Sequence, residues 1–428
     1  MRPSTGPVTA AAARRTLLLL SFTRWFPVGL IIGLTTLLVL HRGMSLTEVG
    51  LIAATQGFVV LALELPTGGL ADALGRRPVL LLGGLISIAS AVLFVSAHTV
   101  PAFVLAAALQ GVYRALDSGP MEAWYVDAAH AEDPTIPVDQ ALSRAGTVVG
   151  LAIALGALAS GGLVAWHPVG SQSPLLLPFW IAIGLNLVHL VGCALLIREP
   201  RPTDTPAPAV WSSVRVAPRV VLNGARLLRT APILRCLVLV ELFWSVAMIA
   251  FETLHTVRLA ELVGGEERAG ALIGPVSSAS WGLFAAGALV GGLASRRIGV
   301  GWAAALARLL NGAFVVAMGV AAGPAGLITA FLASYAMHGA AGPLHNTLLH
   351  RQAIRSNRAT VLSMNSMVAG GAYCLGLLAL GPLAEHTSVA TAIVVAGAFS
   401  ILGAVLYRPA IRQERELATQ PLVSADAG

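Results

Sequence analysis

Ionisable side chains lie inside long apolar runs at several points of this chain, and the densest group lies between Gln110 and Glu122. Within that stretch Arg114 and Asp117 are three residues apart, so a helix would place them on one face. Burying a charge in hydrocarbon costs several kcal/mol unless the charge is paired or hydrated. The pattern therefore predicts either a structural ion pair or a site that handles protons or solute, and both interpretations stay open.

Arg24 is the first ionisable residue within an apolar run, and three carboxylates could neutralise it. These are Glu64 in the second run and Asp117 and Glu122 in the fourth. A buried arginine needs a carboxylate at the same depth, because an unpaired ion is poorly solvated there. Arg308 lies near one end of its run, so we expect it to extend to the aqueous edge and to have no further role.

Glu241, His338 and His345 are ionisable residues that lie within apolar runs of the second half of the chain. Glu241 has no obvious basic partner in that half, and such a carboxyl can exchange protons near neutral pH. Glu241 is therefore the predicted proton carrier, and a hydrogen-bonded structural residue is the alternative. His338 could titrate as well, although a histidine among Gly and Ala is more often packed. Trp244 belongs either to an apolar substrate pocket or to the core.

Motifs for enzymatic chemistry are absent from the sequence. There is no P-loop, no H-E-x-x-H and no G-x-S-x-G. Cys193, Cys236 and Cys374 lie in apolar runs without C-x-x-C spacing, so we expect small buried side chains rather than disulfides or a metal site. We predict that the protein is not an enzyme and uses no cofactor and no metal.

The composition is typical of a protein that uses lipid as its solvent. Charged residues make up 11% of the chain and hydrophobic residues 56%, and the mean hydropathy is +0.80. A water-soluble domain does not sustain these values. The net charge of +7 is not evidence for nucleic-acid binding, because its placement follows the loops of a membrane protein. The predicted class is a polytopic α-helical membrane protein.

Hydropathy predicts twelve membrane spans. They cover approximately residues 16–40, 48–70, 78–97, 101–126, 141–166, 174–197, 232–257, 269–294, 301–322, 324–346, 359–384 and 386–407. If the N-terminus is cytoplasmic, most arginines fall in cytoplasmic segments and only Arg42, Arg258 and Arg268 fall in outer loops. This asymmetry predicts a multi-pass protein of the inner or plasma membrane with both termini in the cytoplasm.

A charged turn of thirteen residues joins the second and third spans and carries the most specific motif. It reads Gly68-Gly69-Leu70-Ala71-Asp72-Ala73-Leu74-Gly75-Arg76-Arg77-Pro78-Val79-Leu80. This turn resembles the cytoplasmic loop between helices 2 and 3 of the major facilitator superfamily, except that an Arg is usual at position 73. A fainter copy spans residues 291–299 in the second half, with Ser295 in place of the acid. The resemblance covers essentially the whole chain.

The resemblance implies an all-α fold of twelve transmembrane helices in two pseudo-symmetric six-helix halves. The predicted divisions are residues 1–198 for the first half and 231–408 for the second. Residues 199–230 form a cytoplasmic linker that contains a basic amphipathic segment, and residues 409–428 form a cytoplasmic tail. That segment either lies on the anionic inner leaflet or is only a connection.

The resemblance also assigns roles to residues. Its loop motif implies a latch that stabilises the outward-facing state, formed by Gly68, Asp72, Gly75, Arg76, Arg77 and Asp127; the alternative is a set of solvated charges that only fixes topology. Spans 1, 4, 7 and 10 line the central cavity in this family. The residues assigned to proton coupling or to the substrate cavity are Arg24, Glu64, Arg114, Asp117, Glu122, Glu241, Trp244 and His338.

The predicted function is proton-coupled export of small, partly hydrophobic molecules, such as drugs or metabolites, by alternating access. The alternative is an uptake symporter or facilitator for a polar metabolite, for which we expect more Asn, Gln and Tyr in the cavity helices. A third hypothesis is a membrane sensor that does not transport. The expected partners are a small-molecule substrate, protons and the lipid bilayer, with no nucleic acid, and the expected state is a monomer.

Overall fold

The computed structural model describes residues 9–199, 222, 224–354 and 357–419, and every regular element in these ranges is helical. Within this part of the chain, ten helical segments are long and apolar enough to cross a membrane. Helices suit this environment because each backbone N–H finds its acceptor within the same segment. The prediction of an all-α polytopic membrane protein is confirmed.

Eight helices precede the predicted linker. They are α1 (Ala10–Ile31), α2 (Leu34–His41), α3 (Leu46–Leu74), α4 (Arg76–Ser96), α5 (Val100–Leu116), α6 (Pro120–Glu132), α7 (Asp139–Trp166) and α8 (Leu176–Leu196). Gly33 interrupts the first predicted span between α1 and α2, with a backbone φ of 77° that favours glycine.

The helices after the linker include two short irregular turns. They are α9 (Pro232–Ile249), a π-helical turn (Ala250–Leu254), α10 (His255–Val263), α11 (Glu266–Ile298), α12 (Val300–Val320), α13 (Pro324–Gln352), α14 (Arg358–His386), α15 (Val389–Gly403), a 3-10 turn (Ala404–Tyr407) and α16 (Arg408–Thr419). The π-helical turn continues α9 into α10, so the three form one long segment.

The fourth predicted span, residues 101–126, is not one continuous helix. Helix α5 ends at Leu116 and α6 begins at Pro120. Gly119 between them has a φ of 94°, and Pro120 has no N–H to continue the helical hydrogen bonds. The expectation of one continuous helix over residues 101–126, which would carry Arg114, Met121 and Tyr125 on one face, is therefore wrong.

The tenth predicted span corresponds to α13, which is long enough to cross a membrane but is not among the ten apolar segments. Ser334, His338 and His345 lie in its middle and lower its hydropathy. Together with the broken fourth span, α13 accounts for the difference between the twelve predicted spans and the ten apolar segments of the described chain.

Contacts divide the chain into two compact units. The first unit contains α1 to α8 together with Glu252–Trp281 and Cys374–Val389; the second contains Val220–Phe251, Gly282–Tyr373 and Ala390–Gly428. The division into halves at residues 1–198 and 231–408 stays a prediction. Most of the predicted linker and residues 420–428 lie outside the described residues, and α16 covers the start of the predicted tail.

Glycines set the distance between α1 and α7 in the first unit. A Cβ atom on Gly156 would lie 2.3 Å from the carbonyl oxygen of Phe26, and one on Gly29 would lie 2.3 Å from that of Ile153. Real Cβ atoms do not approach backbone oxygens this closely, so each position needs glycine. Small residues bring helices together in membranes because packing and not hydrophobicity drives their association.

We predict that Gly156→Ala lowers the stability of the protein, by about 1–3 kcal/mol, because the added methyl group forces α1 and α7 apart. Melting in detergent measures the effect. Gly162→Ala is the matched control on the same helix, since a Cβ atom there meets nothing within 4 Å. Equal melting temperatures for the two variants would contradict the predicted packing.

Candidate functional site

Arg24 on α1 forms an ion pair with Asp117, the residue at the end of α5. Both side chains are largely buried, and the guanidinium of Arg24 also lies 4.3 Å from the centroid of the Trp25 ring. The Asp117 N–H donates to the carbonyl of Tyr113, at 2.9 Å, so the break in the fourth span fixes the carboxylate beside α1. Of the three carboxylates predicted as partners of Arg24, the structure pairs it with Asp117.

A cavity of about 220 Å³ lies within the first unit, and we name it the Gln110 cavity. Its polar lining consists of Arg24, Thr35, Thr36, Gln56, Ser87, Ser90, Gln110, Tyr113 and Asn186. Val28, Ile52, Phe94 and Phe179 belong to the apolar part of the wall. The lining residues come from α1 to α5 and α8. The cavity thus combines hydrogen-bonding groups with apolar surface, as small-molecule sites do.

A second cavity of about 250 Å³ surrounds the break between α5 and α6, and we name it the Arg114 cavity. It is lined by Ser21, Arg24, Trp25, Arg114, Asp117, Ser118, Gly119, Met121 and Glu122. Arg24 belongs to the walls of both cavities. The alternative of a structural pair between Arg114 and Asp117 is wrong, because Asp117 pairs with Arg24.

Two predicted residues of the first unit occupy more exposed positions. Glu64 on α3 is exposed and lines neither cavity. Glu122, near the start of α6, is exposed but contributes to the wall of the Arg114 cavity. The structure therefore brings Arg24, Arg114 and Asp117 together with Glu122 and leaves Glu64 apart from them.

Glu241 on α9 has two basic partners, contrary to the expectation of none. Its Oε1 lies 3.4 Å from Nη2 of Arg308 on α12 and 3.1 Å from Nε2 of His345 on α13. Glu241 is 4% exposed and Arg308 is 3% exposed. The expectation that Arg308 extends to the aqueous edge is therefore wrong. Hydropathy predicts how deep a residue lies along its helix. Which face of α12 is turned towards α9 depends on how the helices pack, and this packing directs Arg308 to Glu241.

His345 extends this polar cluster to two further segments. Its Nδ1 lies 2.8 Å from the hydroxyl of Tyr407, and its Nε2 lies 3.3 Å from Oδ1 of Asn365 on α14. Because Glu241 and Asn365 both present acceptor oxygens to Nε2, that nitrogen carries a proton, and Tyr407 donates to Nδ1 when the ring is neutral. We name Glu241, Arg308, His345, Asn365 and Tyr407 the Glu241 cluster.

Sequence reasoning placed His345 among the ionisable residues of the same half as Glu241, but it did not find the contacts that join the Glu241 cluster. Arg308, His345, Asn365 and Tyr407 come from four different segments, and only their positions within apolar runs could have singled them out. His345 lies seven residues after His338, which places both on one face of α13. That spacing was a usable signal, because a helical face with two histidines is unusual in a membrane span.

Trp244 and His338 pack beside the Glu241 cluster. The guanidinium of Arg308 lies 4.4 Å from the centroid of the Trp244 ring, and the Trp244 and His338 rings stack with centroids 5.0 Å apart. Phe251 and Tyr335 surround His338 further. These aromatic contacts shield the buried cation from hydrocarbon and favour the core over an open pocket for Trp244.

The charged turn between the second and third predicted spans makes the contact with Asp127 that the family resemblance implies. Nη2 of Arg76 lies 3.2 Å from Oδ2 of Asp127 on α6. Gly75 before α4 has a φ of 90°, which explains the glycine at this position. Gly68 and Asp72 belong to the part of α3 whose side chains lie outside the described residues, so their place in the latch stays a prediction.

Glu199, just after α8, caps the start of α4. Its carboxylate accepts hydrogen bonds from the backbone N–H groups of Arg76, at 2.7 Å, and Arg77, at 3.1 Å. A guanidinium N–H of Arg77 donates to the carbonyl of Ala194, at 2.6 Å. A carboxylate at a helix N-terminus satisfies N–H groups that have no acceptor within the helix.

The second unit repeats this arrangement. Glu414 accepts from the N–H groups of Val300 and Gly301 at the start of α12, at 3.1 and 2.9 Å, and also pairs with Arg351 at 2.7 Å. Gly299 before α12 has a φ of 84°, close to that of Gly75. The fainter copy of the loop motif thus has a similar local geometry to the first.

Cysteines and metal ligands do not gather in the described part of the chain. Cys193 and Cys374 are buried free thiols, and Cys236 is a half-buried one. Among the described residues, no group of three or more His, Cys, Asp or Glu side chains could hold a metal ion.

We predict that Arg308→Met and Glu241→Met each destabilise the protein by about 3–5 kcal/mol, because each leaves a buried ion without its partner. The double variant, which removes both ions, is expected to be closer in stability to the wild type. Melting in detergent compares the three, with Arg412→Met on the exposed face of α16 as the control. Single variants as stable as the wild type would contradict the pairing.

Comparison with known proteins agrees with the fold. The nucleoside transporter NupG superposes with a TM-score of 0.74 at 12% identity, over 94% of this chain and 99% of that one. A bacterial homologue of the human drug peptide transporters PepT1 and PepT2 gives a TM-score of 0.69 at 13% identity, over 96% and 100%. No curated protein matches the sequence significantly. The sequence model of the Major Facilitator Superfamily matches residues 17–322, and the chain therefore belongs to this superfamily of transporters.

Proposed function

We propose that the protein is a proton-coupled secondary transporter that binds a small solute in the Gln110 cavity. The observation that carries the proposal is this cavity of about 220 Å³ within a unit of membrane-spanning helices, next to the buried pair of Arg24 and Asp117. Transport by alternating access requires a solute site near the middle of the helices, flanked by groups that respond to binding. Arg24 meets that requirement, because it belongs to both the cavity wall and the ion pair.

The lining of the cavity supports a solute with both apolar surface and hydrogen-bonding groups. Phe94 and Phe179 offer aromatic surface, whereas Gln56, Gln110 and Asn186 offer amide donors and acceptors. An amide group that faces no partner in a closed cavity is costly, so these residues favour a solute that hydrogen-bonds to them.

Proton coupling is assigned to Glu241 in this proposal. Its carboxylate is shared between a permanent cation, Arg308, and a group that can gain a proton, His345. One proton added to this cluster changes its charge by one unit and alters the attraction between α9, α12 and α13. Such a change can bias one conformation over another, which is what coupling requires.

Export of partly hydrophobic molecules remains the proposed direction. The apolar part of the cavity wall supports it, and proton influx would drive solute out. The second candidate is uptake of a polar metabolite by symport. The amide side chains around the Gln110 cavity favour it, as do the structural neighbours, which are a nucleoside transporter and a bacterial homologue of drug peptide transporters.

The latch residues complete the proposal. We assign the contact of Arg76 with Asp127, and the cap that Glu199 forms on α4, to stabilisation of one end of the first unit during the cycle. An exposed ion pair alone contributes little to stability, so the cap on α4 is expected to contribute more than the contact of Arg76 with Asp127.

The proposed location is the cell membrane with both termini in the cytoplasm, and the proposed state is a monomer.

We predict that proton movement in everted membrane vesicles reveals both the coupling and its direction. Solute added outside an acidified vesicle faces the cytoplasmic side, so antiport releases protons and reverses the quenching of a pH-gradient dye, whereas symport deepens it. The panel should contain antibiotics, lipophilic cations, nucleosides and dipeptides. Glu241→Gln is expected to abolish the response, and Glu416→Gln on exposed α16 is the matched control.

The outcomes separate the hypotheses. A response that Glu241→Gln retains in full would remove Glu241 from the proton path. Silence of the wild type across the whole panel would favour the sensor that does not transport.

We predict that Gln110→Ala and Gln56→Ala each weaken binding of a transported solute by about 2- to 10-fold, since each removes one neutral hydrogen bond. The apparent affinity in the vesicle assay measures the effect. Gln172→Ala, between α7 and α8 and outside the Gln110 cavity, is the control. Unchanged affinity in both cavity variants would place the solute elsewhere.

A further inference from the structure

Arg114 has no ionic partner among the described residues of the first unit. It lies in the last turn of α5, and its side chain is accessible in the Arg114 cavity. Among the described residues it makes no hydrogen bond and no ion pair, whereas Arg24 in the same wall is neutralised by Asp117. An ionisable residue within a membrane-spanning segment normally has a partner or serves a solute or ion.

The backbone around the break adds positive potential to the same cavity. The first backbone hydrogen bond of α6 joins the N–H of Ala123 to the carbonyl of Gly119, at 3.0 Å. Met121 and Glu122 therefore present N–H groups that precede this bond, and both residues line the cavity. A helix N-terminus attracts negative charge, which reinforces that of the guanidinium.

Glu122 supplies the other carboxylate of the cavity wall besides Asp117. It forms no ion pair with Arg114, although the two residues line the same cavity. Asp117 is engaged with Arg24, so neither carboxylate neutralises Arg114. The arrangement leaves one cation free to bind a group from outside the described chain.

We infer that the transported solute carries an anionic group, such as a carboxylate, sulfonate or phosphate, and that Arg114 binds this group. The inference rests on the proposed function and names its class of solute. Arg24 lines both cavities, so a solute that extends past its side chain would place its uncharged part in the Gln110 cavity and its anionic group beside Arg114. The planar guanidinium suits such groups, because it donates two parallel hydrogen bonds to their oxygens.

Pairs of probes that differ in charge but hardly in shape test the inference. Benzoate is compared with benzamide, and benzenesulfonate with benzenesulfonamide, by titration calorimetry of the purified protein in lipid nanodiscs. The wild type is expected to bind each anion at least about tenfold more tightly than its amide, since a hydrogen bond to a charged group contributes more than a neutral one.

Substitutions at Arg114 test whether this residue causes the preference for anions over amides. Arg114→Gln is expected to weaken binding of the anions by about 10- to 100-fold and to leave the amides nearly unchanged. Arg114→Lys is expected to restore part of the preference, because it keeps the charge but not the planar geometry. Arg412→Gln removes an exposed arginine of α16 as the matched control, and a melting curve of each variant checks that it folds.

Three results of the binding experiments overturn the inference: equal binding of anion and amide by the wild type, no binding of either anion, and an unchanged preference in Arg114→Gln. None of these results contradicts the proposed function, which is tested separately by proton movement in the vesicles. A Glu241-dependent proton response to uncharged solutes alone would support proton-coupled transport and contradict the inference that the solute is an anion. Silence of the vesicles combined with a preference for anions would reject transport and keep an anion-binding site.

Discussion

A charge within the hydrocarbon layer has no bulk water to solvate it, and this constraint organises both units of the protein. Arg24 and Asp117 neutralise each other in the first unit, and Glu241 is neutralised by Arg308 in the second. Removing one partner of such a pair lowers stability far more than replacing both partners by apolar residues, because it leaves a buried charge unpaired. The ion pairs therefore fix which helices stay together, and any movement during transport has to preserve or replace them.

The helical backbone is interrupted beside the ion pair of the first unit. The break between α5 and α6 brings Asp117 to Arg24 and leaves the start of α6 facing the Arg114 cavity. Gly119 and Pro120 make the break stable, one by adopting a left-handed conformation and the other by lacking an N–H. An interrupted helix in a membrane is tolerated where it lines a cavity, since solute or water can satisfy the free backbone groups there.

The two units treat their polar groups in different ways. In the first unit the ion pair lies beside two cavities, and Arg24 and Arg114 belong to their walls. The second unit encloses Glu241 and His345 almost completely and adds Trp244 over the cation. An accessible site suits solute binding, whereas an enclosed cluster with a titratable histidine suits a response to protons. This contrast connects the proposed roles of the two units.

The class of the protein and the approximate positions of its spans could be predicted from the amino-acid sequence. Apolar runs of membrane length, the arginine-rich ends and the Gly68–Leu80 motif are all local properties, and they required no knowledge of neighbouring helices. The family and the contact of Arg76 with Asp127 followed from the same motif. Tertiary structure alone decided that Arg308 and His345 share Glu241, and that Arg114 is left without Asp117. The physical reason is that hydropathy gives the depth of a side chain, whereas its partner depends on how each helix is rotated and where it breaks.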